Sequence, residues 1–556
     1  MNQNPHIPTA FTNGRILTMD PGQEDAEVII IQDEHIVAVG DKKILVDYPD
    51  ARIIDLGGRT LLPAFIDSHN HLSSFACFFP TWANLFGLMT KDVILDALKT
   101  HAGKYPGSSW IAGFGWFDAK GGGVDLTRYD LDELGSDRPV LVIHATFHMS
   151  VASSRALEMA GISGSTPGPR CGIIVKDAGG IPNGVLIEHA QAPFFRATME
   201  PGIREHADLI RARAEELLPL GITAIHDPGV TPAAARAYRL LQSEGNLPVS
   251  VLMMPHGSTV LDNQPGCWLD EPVTGCGDET LRIGPVKVFA DGATPETVAF
   301  SMKMMGRTIT SGNYRDDFRD VLLEAVRRGF QVCVHSFGNV TTDAVLDAFE
   351  QAGGEAPAGF AMRPRLEHVS LLSKTQIKRL AAMGGCACIQ PQFLIRATAR
   401  ANLFARAPVE NAKWFPCADL IRAGVCVAAS SDDPGGSMDP RDPIRGSVMG
   451  STMSSGDGNT VFPDQVLPFE TWLWMYTAGS ARAGGQENER GMLKKGLVAD
   501  LVILEGALDP KTPPVVDETW RNGTRVYCRQ AAGEPTSAAG PVPNGRIVSR
   551  RLCEGD

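Results

Sequence analysis

The sequence predicts an α/β protein in which a parallel barrel or doubly wound sheet is inserted into a small β-sandwich built by both chain ends. Three observations carry this. Apolar runs that stop at polar residues alternate with helical patterns through the middle of the chain. Short β-rich runs separated by turns occupy both ends. The 556 residues are 43% hydrophobic, enough to bury a large core spread over about two to four structural units.

Residues 14–19, 26–31, 35–40 and 51–56 are strand candidates rich in Val and Ile. Residues 499–504 and 520–527 have the same character, so residues 1–62 and 490–535 are assigned to one sandwich. Residues 63–489 form the unit inserted between them. Within it, the runs 222–227, 286–291, 332–335, 364–368 and 425–432 read as strands ending in polar residues, and 204–218, 316–328, 342–351 and 374–382 read as helices. Residues 73–200 are too long for a simple connection and form an excursion over the strand ends. The Ala/Gly/Pro/Ser-rich stretch 536–556 reads as a flexible tail.

Composition narrows the function. A net charge of −13 with no basic block or stripe argues against nucleic acid as a partner. The amino end is polar and no apolar run approaches a membrane span, so a soluble cytoplasmic protein with no membrane partner is expected. The 11 cysteines are dispersed, several of them inside apolar runs, which reads as buried free thiols in a reducing compartment. Cys386-Ala387-Cys388 lacks the second Cys pair of a zinc ribbon.

The chemistry centres on Leu62-Pro63-Ala64-Phe65-Ile66-Asp67-Ser68-His69-Asn70-His71, an apolar run ending in His-x-His. In a strand, His69 and His71 project to one face and can share a cation. Further candidates end later runs: His335, His368 and Asp432, with Lys287 inside the apolar Val286-Lys287-Val288-Phe289. Singly, each has a structural reading, as a core histidine or a turn-capping aspartate. A lysine in such a run is costly unless paired, modified or beside a metal. Jointly, they mark strand ends where barrel active sites are built.

Those residues resemble the amidohydrolase superfamily, in its YtcJ-like branch (amidohydrolase family 3) that includes N-substituted formamide deformylases. The resemblance runs over residues 11–530. It rests on residues 62–71, Trp110-Ile111-Ala112-Gly113-Phe114-Gly115-Trp116, Val286-Lys287-Val288-Phe289-Ala290-Asp291-Gly292, His335, His368, Ser431-Asp432 with Pro434, and Gly496-Leu497-Val498-Ala499-Asp500. It implies a distorted (β/α)8 barrel carrying a β-sandwich, and a centre of one or two divalent ions, zinc being the expected metal. By position, His69, His71 and Asp432 would bind the more buried ion and His335 and His368 the second. Lys287 matches the position of a carboxylated, bridging lysine. A homo-oligomer is plausible by analogy alone.

Two departures stand out. His335 is followed by Ser336-Phe337-Gly338-Asn339 where relatives carry His-x-x-Gly-Asp, so a supporting carboxylate is missing from the local sequence. Thr146-Phe147-His148 has lost the Asp-Gly of an Asp-Gly-His element but keeps the histidine.

The expected reaction is hydrolysis of an amide, N-acyl or N-formyl C–N bond by metal-activated hydroxide, since a metal lowers the pKa of its water to about 7. Asp432 is the expected proton carrier, and His148 a catalytic donor facing the substrate. The excursion is rich in Phe75, Phe78, Phe79, Trp82, Phe86, Trp110, Phe114, Trp116, Phe117 and Phe147, which favours a small apolar or aromatic amide. Trp116 and Glu188 join His148 as substrate-binding candidates, and His226, Asp227 and Gln390 are candidates for supporting contacts. Alternatives are a mononuclear deaminase, against which stands the lack of a His-x-x-Glu near His335 or His368, and a metal-free scaffold of the same fold.

Overall fold

The computed structural model describes residues 7–77, 81–169, 172–198, 201–257, 267–294, 296–396, 409–435, 441–455 and 458–529. Phe78, Phe79 and the tail lie outside the described residues.

The two chain ends meet in one sheet. Leu501–Glu505 pairs antiparallel with Thr60–Pro63 inside a six-stranded sheet that also holds Arg15–Asp20, Gln23–Ala26, Val515–Arg521 and Thr524–Cys528. A four-stranded sheet of Thr9–Thr12, Val28–Gln32, His35–Gly40 and Arg52–Asp55 faces it. Alternating residues of both sheets, among them Phe11, Ile29, Ile31, Leu61, Leu501, Ile503 and Trp520, form one apolar cluster. Phe11 and Trp520 meet edge to face with ring centres 5.2 Å apart. Two sequence runs divide. Run 26–31 breaks at Glu27, sending its halves to different sheets, and run 520–527 folds back at Asn522–Gly523, both at positive φ, as a two-residue hairpin turn requires.

Eight parallel strands form the middle: β1 Phe65–Asp67, β2 Ile222–Val230, β3 Ser250–Pro255, β4 Val286–Phe289, β5 Val332–Ser336, β6 Arg365–His368, β7 Cys386–Ile389 and β8 Cys426–Ala429. Consecutive strands pair in parallel from β1 to β3 and from β4 to β8. Single parallel bridges join the two arcs, His256 with Lys287 and Asn70 with Asp433, so the ring closes as a distorted barrel. The β3–β4 seam is distorted because Leu281–Ile283 pairs with β3 and the chain breaks at Gly284–Pro285 before β4 begins. Strands β2, β4, β5, β6 and β8 are the polar-ended runs of the sequence. The apolar run 62–67, by contrast, serves two sheets: Thr60–Pro63 belongs to the sandwich and Phe65–Asp67 to the barrel.

Helices pack outside the ring for the expected reason, an apolar face at 3.6-residue spacing. Phe318–Arg327 buries Phe318, Leu322, Leu323 and Val326, and Lys374–Ala382 buries Ile377 and Leu380 behind a Ser373/Gln376 capping box. Each such side chain contributes about 1.5–3 kcal/mol on full burial.

Between β1 and β2 the chain builds a sheet of its own, six strands in the order Gly172–Lys176, Pro182–Glu188, Met149–Ala152, Val140–His144, Ile111–Trp116, Ala83–Asn84. Apolar clusters lie on both of its faces. Among the described residues, no helix is long and apolar enough to cross a membrane. Among the described residues, eight cysteines are free thiols, five of them buried.

Candidate metal centre

Strand β1 ends at Asp67, so pleat alternation does not place the two histidines, as the sequence had suggested; a loop does. That loop is zipped to the one following β8. Asp432 N donates to His69 O at 2.8 Å and His71 N to Asp433 O at 3.2 Å. Asp67, buried beneath, accepts from Asn70 Nδ2 at 2.9 Å and from Ser431 N at 2.9 Å. Asp433 is likewise buried and takes Arg213 Nη2 at 2.8 Å.

The result is a convergence of three ligand atoms. His69 Nε2 and His71 Nε2 lie 3.2 Å and 3.3 Å from the same Asp432 Oδ1, and ligand atoms of all three residues fall within 4.8 Å of one another. Both imidazoles are oriented from behind: His69 Nδ1 donates to Glu367 Oε2 at 2.5 Å and His71 Nδ1 to the Pro228 carbonyl at 3.0 Å. That leaves each Nε2 lone pair aimed inward. Burial pushes His71 down to about 4, so it is a neutral donor. Burial would raise Asp432, but the adjoining His69 and His71 outweigh it and hold the carboxylate well below its usual range. Two imidazole nitrogens and one anionic oxygen are a donor set that a divalent cation fits. His69 is fully buried, while His71 and Asp432 keep 17% and 14% of their side-chain surface, an opening towards the barrel mouth.

Glu367 is fixed in turn. Arg365 Nε donates to it at 2.6 Å, and Arg365 Nη1 to His226 Nδ1 at 3.0 Å. Burial would raise the Glu367 carboxyl, yet the Arg365 charge and His69 keep it well below the carboxylate range. The signal for both residues was present in the sequence, because Arg365 and Glu367 are charges at alternate positions of a buried strand, which must be paired.

Lys287, His335 and His368 extend the site. Lys287 Nζ lies 3.4 Å from His69 Nε2, fully buried, and burial lowers its basicity. His368 Nδ1 donates to Gln390 Oε1 at 2.9 Å, and Gln390 Nε2 to Ser430 Oγ at 2.9 Å. His335 Nε2 donates to Gly292 O at 3.2 Å. Ring centres step across the site from His71 to His69 (5.1 Å), His368 (5.0 Å), His335 (4.5 Å) and His148 (5.2 Å). Burial lowers His368 to about 3 and holds His335 well below its ordinary value, so both are neutral. The carboxylate that Ser336–Asn339 lacks comes from beyond β4: Asp291 lies 3.6 Å from His335 Nε2 and accepts from the Phe337 and Gly338 amides. Burial pushes Asp291 up to about 7.

The excursion delivers His148. Both Glu188 oxygens lie 3.0 Å from its Nδ1, and Thr297 Oγ1 donates to Glu188 at 3.2 Å. Burial would lower His148, but the Glu188 charge and hydrogen bond raise it above the usual histidine value. Glu188 thus meets the site through His148. Its carboxylate is wedged against Gly292, where an added Cβ would stand 1.9 Å from Oε1. Trp116 is not brought to the centre. It is buried in the excursion's own core, its Nε1 donating to Val124 O at 2.6 Å and its ring edge-on to His144. Of the supporting candidates, His226 and Gln390 reach the site through Arg365 and His368, and Asp227 accepts from Ser73 N and Tyr238 Oη.

Five residues at or beside the centre, Phe147, Glu188, His368, Val369 and Asp432, have φ between +31° and +74°. Such backbone costs about 1–3 kcal/mol per residue and persists where surrounding structure fixes it.

Residues 52–527 match the amidohydrolase family model. The chain belongs to the amidohydrolase family. It is similar to an N-substituted formamide deformylase of Arthrobacter pascens, 28% identical over 89% of this chain and 92% of that one. YtcJ of Bacillus subtilis is 29% identical over 92% of this chain and 98% of its own. A metal-dependent hydrolase of Pyrococcus horikoshii OT3, described as uncharacterized, shares the fold with a TM-score of 0.69 at 24% identity, covering 90% of this chain and 98% of that one. By family, it is a hydrolase.

Proposed function

We propose that this amidohydrolase cleaves an N-acyl or N-formyl amine whose nitrogen carries an apolar, aromatic group, with zinc held by His69, His71 and Asp432. The observation that carries the reading is the convergence of those three ligand atoms beneath a His148–Glu188 pair contributed by the excursion. A zinc ion held there would supply a hydroxide nucleophile at neutral pH and polarise the substrate carbonyl.

The chain's own residues do the rest. Asp432, a carboxylate partly open to the mouth, accepts the proton of the attacking water and returns it to the departing nitrogen. His148, its Nδ1 held by Glu188, presents its other nitrogen as a donor to the carbonyl oxygen as negative charge grows there. Phe337, stacked on His368 at 4.7 Å and 2°, and the Phe75–Phe147 pair supply apolar walls that exclude water. Lys287 is assigned as a carboxylated lysine: its neutral amine, made less basic by burial, would add carbon dioxide at Nζ and release one proton, giving an oxygen-donor anion suited to a second ion near His335 and His368.

The test is release of carboxylate and amine from N-formyl and N-acetyl aryl amines by the purified protein, before and after chelation and zinc addition. Turnover that chelator removes and zinc restores is expected. Zinc-loaded protein that releases ammonia from an amino heterocycle and no carboxylate from any amide would overturn the reading in favour of a deaminase.

A further inference from the structure

His368 ends β6 with a backbone that its side chain disfavours, φ +74°, and Val369 follows at +31°. The plane of an imidazole turns about a torsion with no sharp minimum, so neighbours must set it. One neighbour is Gln390, whose Oε1 accepts from His368 Nδ1 at 2.9 Å. That bond fixes an edge of the ring and leaves its plane to a second contact. Phe337 provides it, with ring centres 4.7 Å apart and planes 2° from parallel. Phe393, whose N–H donates to Gln390 O at 3.0 Å, lies 5.9 Å from His368 and 6.2 Å from Phe337, within 19° of parallel to both. Phe337 is itself held at its backbone, its N–H donating to the two Asp291 oxygens at 3.0 Å and 3.1 Å. Its ring also stands edge-on to His335 at 5.0 Å. Phe393 packs on the large apolar cluster of the barrel, whereas the half-buried Phe337 lies outside that cluster and turns its ring to the two histidines.

Resting on the reading of His368 as a ligand of the second ion, we propose that Phe337 is a positioning residue of the metal centre: its flat ring fixes the plane of the His368 imidazole and so strengthens the hold on zinc. The imidazole of a zinc-bound histidine is electron-poor, and the face of Phe337 attracts it more strongly than it attracts a neutral ring. The stack therefore favours the loaded form. Asp291 serves both histidines from one place, since it lies beside His335 and, through the Phe337 amide, sets the ring that lies on His368.

The experiment competes zinc-loaded wild type, Phe337→Leu, Phe337→Tyr and His368→Ala against a chromogenic chelator and counts the ions held and their dissociation constants. Leucine keeps apolar bulk without a flat ring, and tyrosine keeps the ring; Phe337→Met stands in should Phe337→Leu not fold. His368→Ala should lose an ion. In Phe337→Leu the same ion should bind about tenfold or more weakly, and in Phe337→Tyr within about threefold of wild type. An affinity in Phe337→Leu within about twofold of wild type, or a Phe337→Tyr as weak as Phe337→Leu, overturns the role of Phe337 and leaves His368 a ligand. Full zinc occupancy in His368→Ala overturns both the proposal and the placing of the second ion.

Discussion

Among single residues, Glu367 shows how the centre is held from behind. Glu367→Gln should weaken zinc binding about 10–100-fold while leaving His69 itself in place, measurable by competition with a chromogenic chelator. His69→Ala and Asp432→Ala should abolish turnover without unfolding the chain. Asp433, buried on Arg213 and bridged to the β1 loop, is structural. Asp433→Ala should therefore destabilise by about 1–3 kcal/mol in denaturant titration, because it removes one of the two carboxylates that hold Arg213, Glu216 being the other. Asp227 gives a pH test. Burial raises its carboxyl from 3.8 to about 6, so the folded state holds the proton more tightly. Its contribution to stability is full below about pH 4 and is lost as pH rises through 6, on the order of 3 kcal/mol. Asp227→Asn should lose that decline, and parallel slopes for variant and wild type would refute the assignment. What sequence could offer at this scale was residue type: Lys287, His335 and His368 stood out as polar groups ending or interrupting apolar runs. The sequence did not name the partners of the anchors Glu367, Asp291 and Asp67, because His69, Phe337 and Ser431 lie 298, 46 and 364 residues from them.

Secondary-structure elements were legible where one strand serves one sheet. Strands β2, β4, β5, β6 and β8 could be read from apolar runs with polar ends, and the flanking helices from their periodicity. Failures occurred where two sheets share a run. Apolar residues continue through Ala64, so nothing local marks the passage from sandwich to barrel, and Asn522–Gly523 hid inside a β-rich run whose turn chemistry should have split it. Strand β3 passed unread because Ser250–Pro255 ends in Pro255 rather than in a charged or metal-ligating residue. The meeting of excursion and β4 loop is testable here. In Gly292→Ala the new methyl would collide with Glu188 Oε1 and Thr297 Oγ1, loosening His148. The kcat should fall at least about tenfold with zinc content unchanged, as steady-state kinetics with elemental analysis would reveal; unchanged kcat would mean His148 needs no such anchor.

At the level of the whole molecule, the ends of the chain close one sheet, the middle closes a ring of eight strands, and the first crossover becomes a separate sheet that reaches back over the ring. The site is assembled from both arcs of the barrel and the excursion, which explains why its six candidate ligands span residues 69 to 432. The most direct measurement is elemental analysis of purified protein, counting transition metal per chain in wild type, His69→Ala, Asp432→Ala and Lys287→Ala, each expressed with and without added bicarbonate. The expected result is zinc in the wild type, loss of it in His69→Ala and Asp432→Ala, and a second, bicarbonate-dependent ion lost in Lys287→Ala. Full zinc occupancy in His69→Ala and Asp432→Ala would contradict the assignment of the centre.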